Sequence, residues 1–199
     1  GRHVISRKEL KDLIEKGEIR FKIFSAGMDT SYSAKSMDTI AMCFQGITED
    51  RKLIYLAEKV YNNAALGVPL APSDTTVKFI EFLDSYRKDW GFAKNTFIDC
   101  ADQATITELR KWKRLHGSVY NFIDSYKKVE IIDRINLQLG WLQQDCYLVV
   151  EDCPEHIKEL EVYSWDEEKN IPEDGHDHTI NADQYGWIPY RNMIGFEEE

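Results

Sequence analysis

The 199 residues predict an α/β domain built on one mixed sheet with helices on both faces. Three observations carry that expectation. Apolar runs at Phe21–Asp29, Thr39–Ile47 and Lys52–Asn62 follow one another through turns, which makes an antiparallel meander. Beyond them strand and helix patterns alternate, as in crossover units that lay helices over a sheet. Hydrophobic residues make up 43% and aromatics 12% of the chain, enough to fill a substantial core.

SRKELKDLIEKG opens the chain as a helix, with Ser6 and Glu9 at capping-box spacing and Gly17 as the stop. RFKIFSAGMDTSYS, Arg20 to Ser33, then reads as a buried strand that delivers Asp29 into a glycine- and serine-rich turn. Gly27 in that strand permits a close backbone approach. Thr39–Ile47 is the second strand, ITEDRK a charged turn and KLIYLAEKVYN the third strand. Pro72 and Ser73 start a helix with an apolar stripe at Val77, Ile80, Leu83, Tyr86 and Trp90, ended by Gly91. A fourth strand, Thr96–Asp99, again finishes in an acid. TITELRKWKRLHG is helical, with Thr105 and Glu108 at capping-box spacing and Gly117 closing it. SVYNFIDSY reads as strand, VEIIDRINLQLGWL as helix, YLVVED as strand and PEHIKELEVYSW as helix from Pro154. An acidic loop, DEEKNIPEDG, leads into a last helical segment, HDHTINADQYG.

No internal repeat interrupts this order, so residues 1–199 are expected to form a single domain. No apolar run approaches the roughly 18 residues of a membrane span, and no signal-peptide pattern is present. Cys43, Cys100, Cys146 and Cys153 have no metal-ligand spacing and read as reduced core thiols of a cytoplasmic protein. The net charge of −10 argues against a free-standing nucleic-acid binder with a basic face. It leaves room for an acidic nuclease domain whose carboxylates hold metal ions. GxxxxGK[ST], GxGxxG, GxSxG and zinc-ligand spacings are all absent, which removes P-loop, dinucleotide, serine-hydrolase and zinc-finger chemistry.

Three acidic stations remain. Asp29 and Asp99 both end strands, and if those strands are neighbours the two carboxylates meet at one edge. Close like charges are unfavourable unless a cation lies between them. The plainer alternative is that Asp29 is a turn residue and that Asp99 or Asp102 starts the next helix. His176, Asp177 and His178 stand at the head of the final helix, with Asn181 four residues beyond Asp177 on the same face. A helix dipole favours an aspartate there in any case. Hard oxygen donors suit Mg²⁺ or Mn²⁺. Acids around two ions roughly 4 Å apart are the arrangement for phosphodiester hydrolysis without a protein nucleophile.

With these stations in place, the chain resembles the C-terminal nuclease domain of the large terminase subunit of tailed double-stranded DNA bacteriophages. GMDTSYS is similar to that family's first acidic strand, FIDCADQATITELRKW to its strand-acid-helix segment, and KELEVYSWDEEKN with EDGHDHTINADQYG to its closing segment. Many relatives read DHxIDAxRY, so Asn181 stands where a second aspartate is expected and Gln184 where arginine is.

The resemblance implies a ribonuclease H-like fold. It also implies Asp29, Asp99 and Asp177 as metal-holding acids, His178 as ligand or proton shuttle, and Asn181 as a carbonyl ligand. Two divalent ions, Mg²⁺ or Mn²⁺, would serve cleavage of concatemeric viral double-stranded DNA during packaging. Implied partners are an ATPase motor domain of the same full-length protein, absent from these residues, the portal and the small terminase subunit, in the host cytoplasm. Residues 1–19 would be a linker and helix. Lys35, Lys127 and Lys128 are candidate phosphate contacts, with ordinary solvated surface as the plainer reading. The alternatives are another ribonuclease H-like nuclease, of resolvase or transposase type, which should be more basic, and a non-catalytic interaction domain whose acids only cap helices.

Overall fold

β2 (Phe21–Ser31) lies inside a seven-stranded sheet because its two faces carry different cargo. Phe24 stacks on Phe44, which packs toward Tyr86 on one side of the sheet. Ser25, Gly27 and Asp29, two residues apart, point to the other side. The computed structural model describes residues 2–31, 39–63, 65–126, 128–162, 165–166, 171–172 and 177–197.

β2 pairs antiparallel with β3 (Thr39–Thr48), and β3 pairs antiparallel with β4 (Leu53–Asn62), so the meander is present. β5 (Asn95–Ile98) lies parallel to β2, and β6 (Asn121–Asp124) parallel to β5. On the opposite edge β7 (Tyr147–Val150) runs parallel to β4. A two-residue strand missing from the sequence reading, β1 (Val4–Ile5), runs parallel to β7. Two residues are too few for periodicity to register.

α1 (Arg7–Glu15) starts at Ser6, whose Oγ accepts from the Glu9 amide at 3.0 Å, and Gly17 takes a left-handed φ of 76° after it. α2 (Pro72–Asp89) and α3 (Gln103–His116) cover the face of Phe24. α4 (Ile131–Gln143), α5 (Pro154–Val162) and α6 (His178–Trp187) follow, and α6 covers the face of Asp29.

Three sequence expectations are corrected. Of the expected α2 stripe, Leu83 is buried and Ile80, Tyr86 and Trp90 pack half-buried against the core, while Val77 is exposed. The buried face also takes in Thr75, Thr76, Phe79 and Phe82, which the stripe left out. α3 is capped by Asp102, not Thr105: its Oδ1 accepts from the Thr105 amide at 3.0 Å. The acidic loop contains a small antiparallel pair, β8 (Trp165–Asp166) and β9 (Ile171–Pro172). Lys35, Lys127 and His176 lie outside the described residues.

Candidate metal centre

The site begins with how closely α6 can approach the sheet. Ser25 donates to the Gly186 carbonyl at 2.7 Å, and a Cβ on Gly27 would sit 1.9 Å from the Ala182 carbonyl oxygen. His178 Nδ1 stands 3.6 Å from Asp29 Oδ2. Two-residue steps along β2 thus match four-residue steps along α6, and the helix runs antiparallel to the strand. Small residues at the first two crossings bring the backbones together, and that approach delivers the histidine to the aspartate.

β5 supplies the second acid. Met28 is in register with Ile98, and the Asp99 amide continues the ladder to the Met28 carbonyl at 3.0 Å. Asp29 and Asp99 therefore follow equivalent positions on adjacent parallel strands. Asp99 is oriented by accepting from the Ala101 amide through Oδ1 at 3.0 Å. Asp102 is spent elsewhere: Oδ2 accepts from Thr30 at 2.7 Å and from Thr105 at 2.6 Å. Thr30 points to the α3 face, so Asp102 is the structural acid and Asp99 the one beside Asp29.

Asp177 is the residue before α6, yet its carboxylate makes no cap bond. Glu159 from α5 does that work, accepting from the Thr179 amide at 2.9 Å and from the Ile180 amide at 3.2 Å. Sequence spacing gave no warning of this, because Glu159 lies twenty residues away. The dipole explanation for Asp177 is correspondingly weaker.

Burial pushes the Asp29 carboxyl above its ordinary range; the neighbouring charges of Asp99 and Asp177 push the same way, and His178 opposes them. His178 is raised by its bond to Asp29. The Tyr185 hydroxyl donates to Asp29 Oδ1 at 3.3 Å, a contact the sequence reading assigned to no residue. Asn181, the remaining expected ligand, is half-buried on the next turn, its amide bonded to the Asp177 carbonyl at 2.8 Å. Lys128, the one described candidate phosphate contact, instead lines a cleft between α4 and the C-terminal segment with Arg191 and Glu197. A groove of about 560 Å³ runs from His178 between the ends of β3 and β4 and α5, flanked by Glu58, Lys59 and Glu159.

Among the described residues no three Asp, Glu, His or Cys side chains are already spaced to hold an ion outright. What is present is a set of oxygen donors coupled by charge, with His178 standing against the most buried of them. Mutually destabilised carboxylates without a thiol suit a hard divalent cation, whose charge would relieve the strain among them.

Behind this cluster α6 carries a second acid. Asp183 is fully buried, accepting from Gln45 Nε2 at 2.8 Å and from the Tyr147 hydroxyl at 2.6 Å. The Tyr147 oxygen is 2.5 Å from His156 Nε2, and His156 Nδ1 is 2.9 Å from Thr179 Oγ1. One neutral tautomer satisfies every group: Thr179 donates to Nδ1, Nε2–H donates to Tyr147, and Tyr147 donates to Asp183. His156 and Asp183 also lie 3.8 Å apart, but burial lowers the histidine to about 3, so the contact is not an ion pair at neutral pH.

No protein-family model matches the chain, and no curated protein is significantly similar in sequence. Solved structures are similar in fold. The large terminase of a thermophilic bacteriophage superposes with a TM-score of 0.71 at 17% identity, over 98% of this chain and 43% of that one. The large terminase nuclease of thermophilic phage G20c with bound magnesium gives 0.52 at 15% identity, over 83% of this chain and 80% of that one. The yeast mitochondrial Holliday junction resolvase gives 0.52 at 13% identity, over 94% and 86%. The chain thus spans less than half the length of the first of these proteins and most of the other two. No helix among the described residues is long and apolar enough to cross a membrane. With its antiparallel meander, its flanking parallel strands and the helix laid across Asp29, the chain has the ribonuclease H-like fold of these nucleases.

Proposed function

We propose that this chain is a divalent-metal-dependent endonuclease domain acting on double-stranded DNA, and that it serves the packaging of viral genomes as the nuclease part of a large terminase. The observation that carries the reading is the meeting of Asp29, inside β2 two residues short of its end rather than at the strand end the sequence suggested, and Asp99, just past β5, with Asp177 and His178 brought to them by α6. The fold likeness to a terminase nuclease crystallised with magnesium supports a divalent cation there. Of the two large terminases one superposes at 0.71 and the other at 0.52, equal to the resolvase, so it is the first likeness that supports the packaging reading over the resolvase one.

Asp29, Asp99 and Asp177 would hold two ions, Mg²⁺ or Mn²⁺, with His178 and the Asn181 carbonyl as further ligands. Bound ions supply charge stabilisation of the phosphodiester and a water of lowered pKa. The chain's own groups do the rest. β2 and β5 fix two carboxylates at one edge, so little reorganisation remains when substrate arrives. If it is not a ligand, His178 would stand at the groove mouth as a proton shuttle, 3.6 Å from Asp29. DNA grip, an ATPase domain in the same protein, the portal and the small subunit would come from outside these acidic residues, in a host bacterial cytoplasm.

The test is Mn²⁺ titration by calorimetry on the wild-type chain and on Asp29→Ala, beside plasmid cleavage. Heat on binding is expected for the wild type only, with cleavage reduced at least about a thousandfold in Asp29→Ala. Equal binding in both proteins would leave Asp29 a buried strand residue with no part in holding the ion. Intact plasmid at high wild-type concentration, unchanged by Asn181→Asp, would end the nuclease reading.

A further inference from the structure

The side chains gathered at Asp29 are mostly acidic, with Lys59 along the groove, while the proposed substrate is a polyanion. α4 changes that balance. α4 and α6 lie side by side in a shared direction: Gln184 Nε2 meets Gln138 Oε1 at 3.5 Å, and Trp187 meets Trp141 edge to face with ring centroids 4.6 Å apart. Three residues forward on one helix match three on the other. One turn back from Gln138 is Arg134, and one turn back from Gln184 is Ile180 and Asn181. Tyr185, one residue beyond Gln184, leans toward the start of α6 as helical side chains do, and its hydroxyl reaches Asp29. This register sets Arg134 against the turn of α6 that spans Asn181 and Tyr185.

Burial agrees with that placement. Arg134 is half-buried and its Nε is shielded from solvent, whereas Ile131, Ile132 and Asp133 before it are exposed. Its charge acts on the Tyr185 hydroxyl alongside those of Asp29 and Asp99, in the direction opposite to theirs. A guanidinium is planar, always charged and forked, which matches the paired oxygens of a phosphodiester.

We infer that Arg134 receives a phosphate oxygen of the bound duplex and sets the phosphodiester against Asp29 and Asp99. This rests on the nuclease reading, but binding tests it without any cleavage. The alternative is that Arg134 only offsets the neighbouring acids and steadies the α4–α6 contact.

The experiment follows anisotropy of a labelled 30-base-pair duplex with calcium present, over a salt series, for wild type, Arg134→Gln and Arg134→Lys. Thermal unfolding of each is recorded in parallel. Each phosphate contact contributes about 0.9 to the slope of log affinity against log salt. The Gln variant is expected to weaken binding roughly tenfold at low salt and lower the slope by about one, and the Lys variant to keep the slope. A wild-type slope in the Gln variant, unfolding of that variant at the assay temperature, or no duplex binding by the wild type would each overturn the assignment. Plasmid cleavage is scored separately, so wild-type cleavage with an unchanged Gln slope removes Arg134 and leaves the nuclease reading intact. Duplex binding with the lowered slope but no cleavage does the reverse.

Discussion

Asp29 and Asp183 face each other's neighbourhood across α6, and both are buried acids, yet they are built differently. Asp183 has no exposed surface, and its carboxyl accepts from Gln45 and Tyr147, which continue through His156 to Thr179. Asp29 has one hydroxyl at 3.3 Å, a histidine at 3.6 Å, and two further acids within reach of its charge. Burial raises both, Asp183 to about 7. The difference lies in the neighbours: Asp183 is enclosed by donors that belong to the fold, whereas Asp29 has the charges of Asp99 and Asp177 against it beside the Tyr185 hydroxyl and His178, which favour it. A buried acid is a candidate for cation binding when its neighbours are other acids, and a structural one when its neighbours are committed donors.

The largest expected effect separates the two. Asp183→Ala leaves the Tyr147 hydroxyl and one Gln45 N–H buried without their acceptor, while the Gln45 bond to the residue 183 carbonyl remains, and should cost about 2–4 kcal/mol of stability. Asp29→Asn removes a charge that burial already disfavours, so its unfolding free energy should stay within about 0.5 kcal/mol of wild type or rise. Urea unfolding of both variants at pH 7 measures this. A loss in Asp29→Asn as large as that in Asp183→Ala would make Asp29 structural too.

Gly27→Ala acts on both regions at once. Its Cβ would meet the Ala182 carbonyl oxygen at 1.9 Å and the carbonyl carbon at 2.9 Å, backbone atoms that cannot rotate away. α6 must lift from β2, which separates His178 from Asp29 and strains the Gln45–Asp183 bonds together. A stability loss of about 2–3 kcal/mol is expected, with reduced Mn²⁺ affinity in the molecules that stay folded. Unchanged Mn²⁺ binding in that variant would show that the site does not depend on the close approach.

How much of this was legible follows from where each signal lies along the chain. Asp29 and Asp99 were readable because each acid lies in or just past its own strand, although β2 runs two residues beyond Asp29, and the two strands needed only to be neighbours. The strands read at Thr39–Ile47 and Lys52–Asn62, observed at Thr39–Thr48 and Leu53–Asn62, announced themselves as local apolar runs between turn signals. The cap of α6 by Glu159, the placement of Arg134 beside Tyr185 and the chain from Asp183 to Thr179 join residues twenty to fifty positions apart. Periodicity does not report on such pairs. The error at Val77 in the α2 stripe has a different origin: both flanks of the helix are apolar, and only packing against the sheet put Phe79 and Phe82 inside and left Val77 out.

The smallest effect, and the finest test of the comparison, is in pH. His156 lies flat on Tyr55 with ring centroids 3.8 Å apart, has no exposed surface, and is lowered to about 3 by burial. In the unfolded chain it titrates near 6.5. Between those values the unfolded state holds a proton that the folded state lacks, so stability falls as pH drops from 6.5 toward 3. The slope is up to about 1.4 kcal/mol per pH unit for this one group. Asp183 works in the opposite sense, because its raised carboxyl keeps a proton in the folded state that the unfolded chain has released, and stability falls as pH rises from about 4 to about 7. Asp29, Glu58 and Glu159, raised by burial, and His178, raised by Asp29, act in the same sense as Asp183, so in wild type the His156 loss offsets only part of their gain on acidification. His156→Gln should be less stable at pH 7 and should gain more stability than wild type on mild acidification, since the opposing His156 contribution is gone. Urea unfolding of both proteins at pH 7.0 and 5.5 reads the difference in slope. If both lose stability in parallel on acidification, His156 and Asp183 do not offset each other, and the distinction between an enclosed acid and a repelled one loses its support at Asp183.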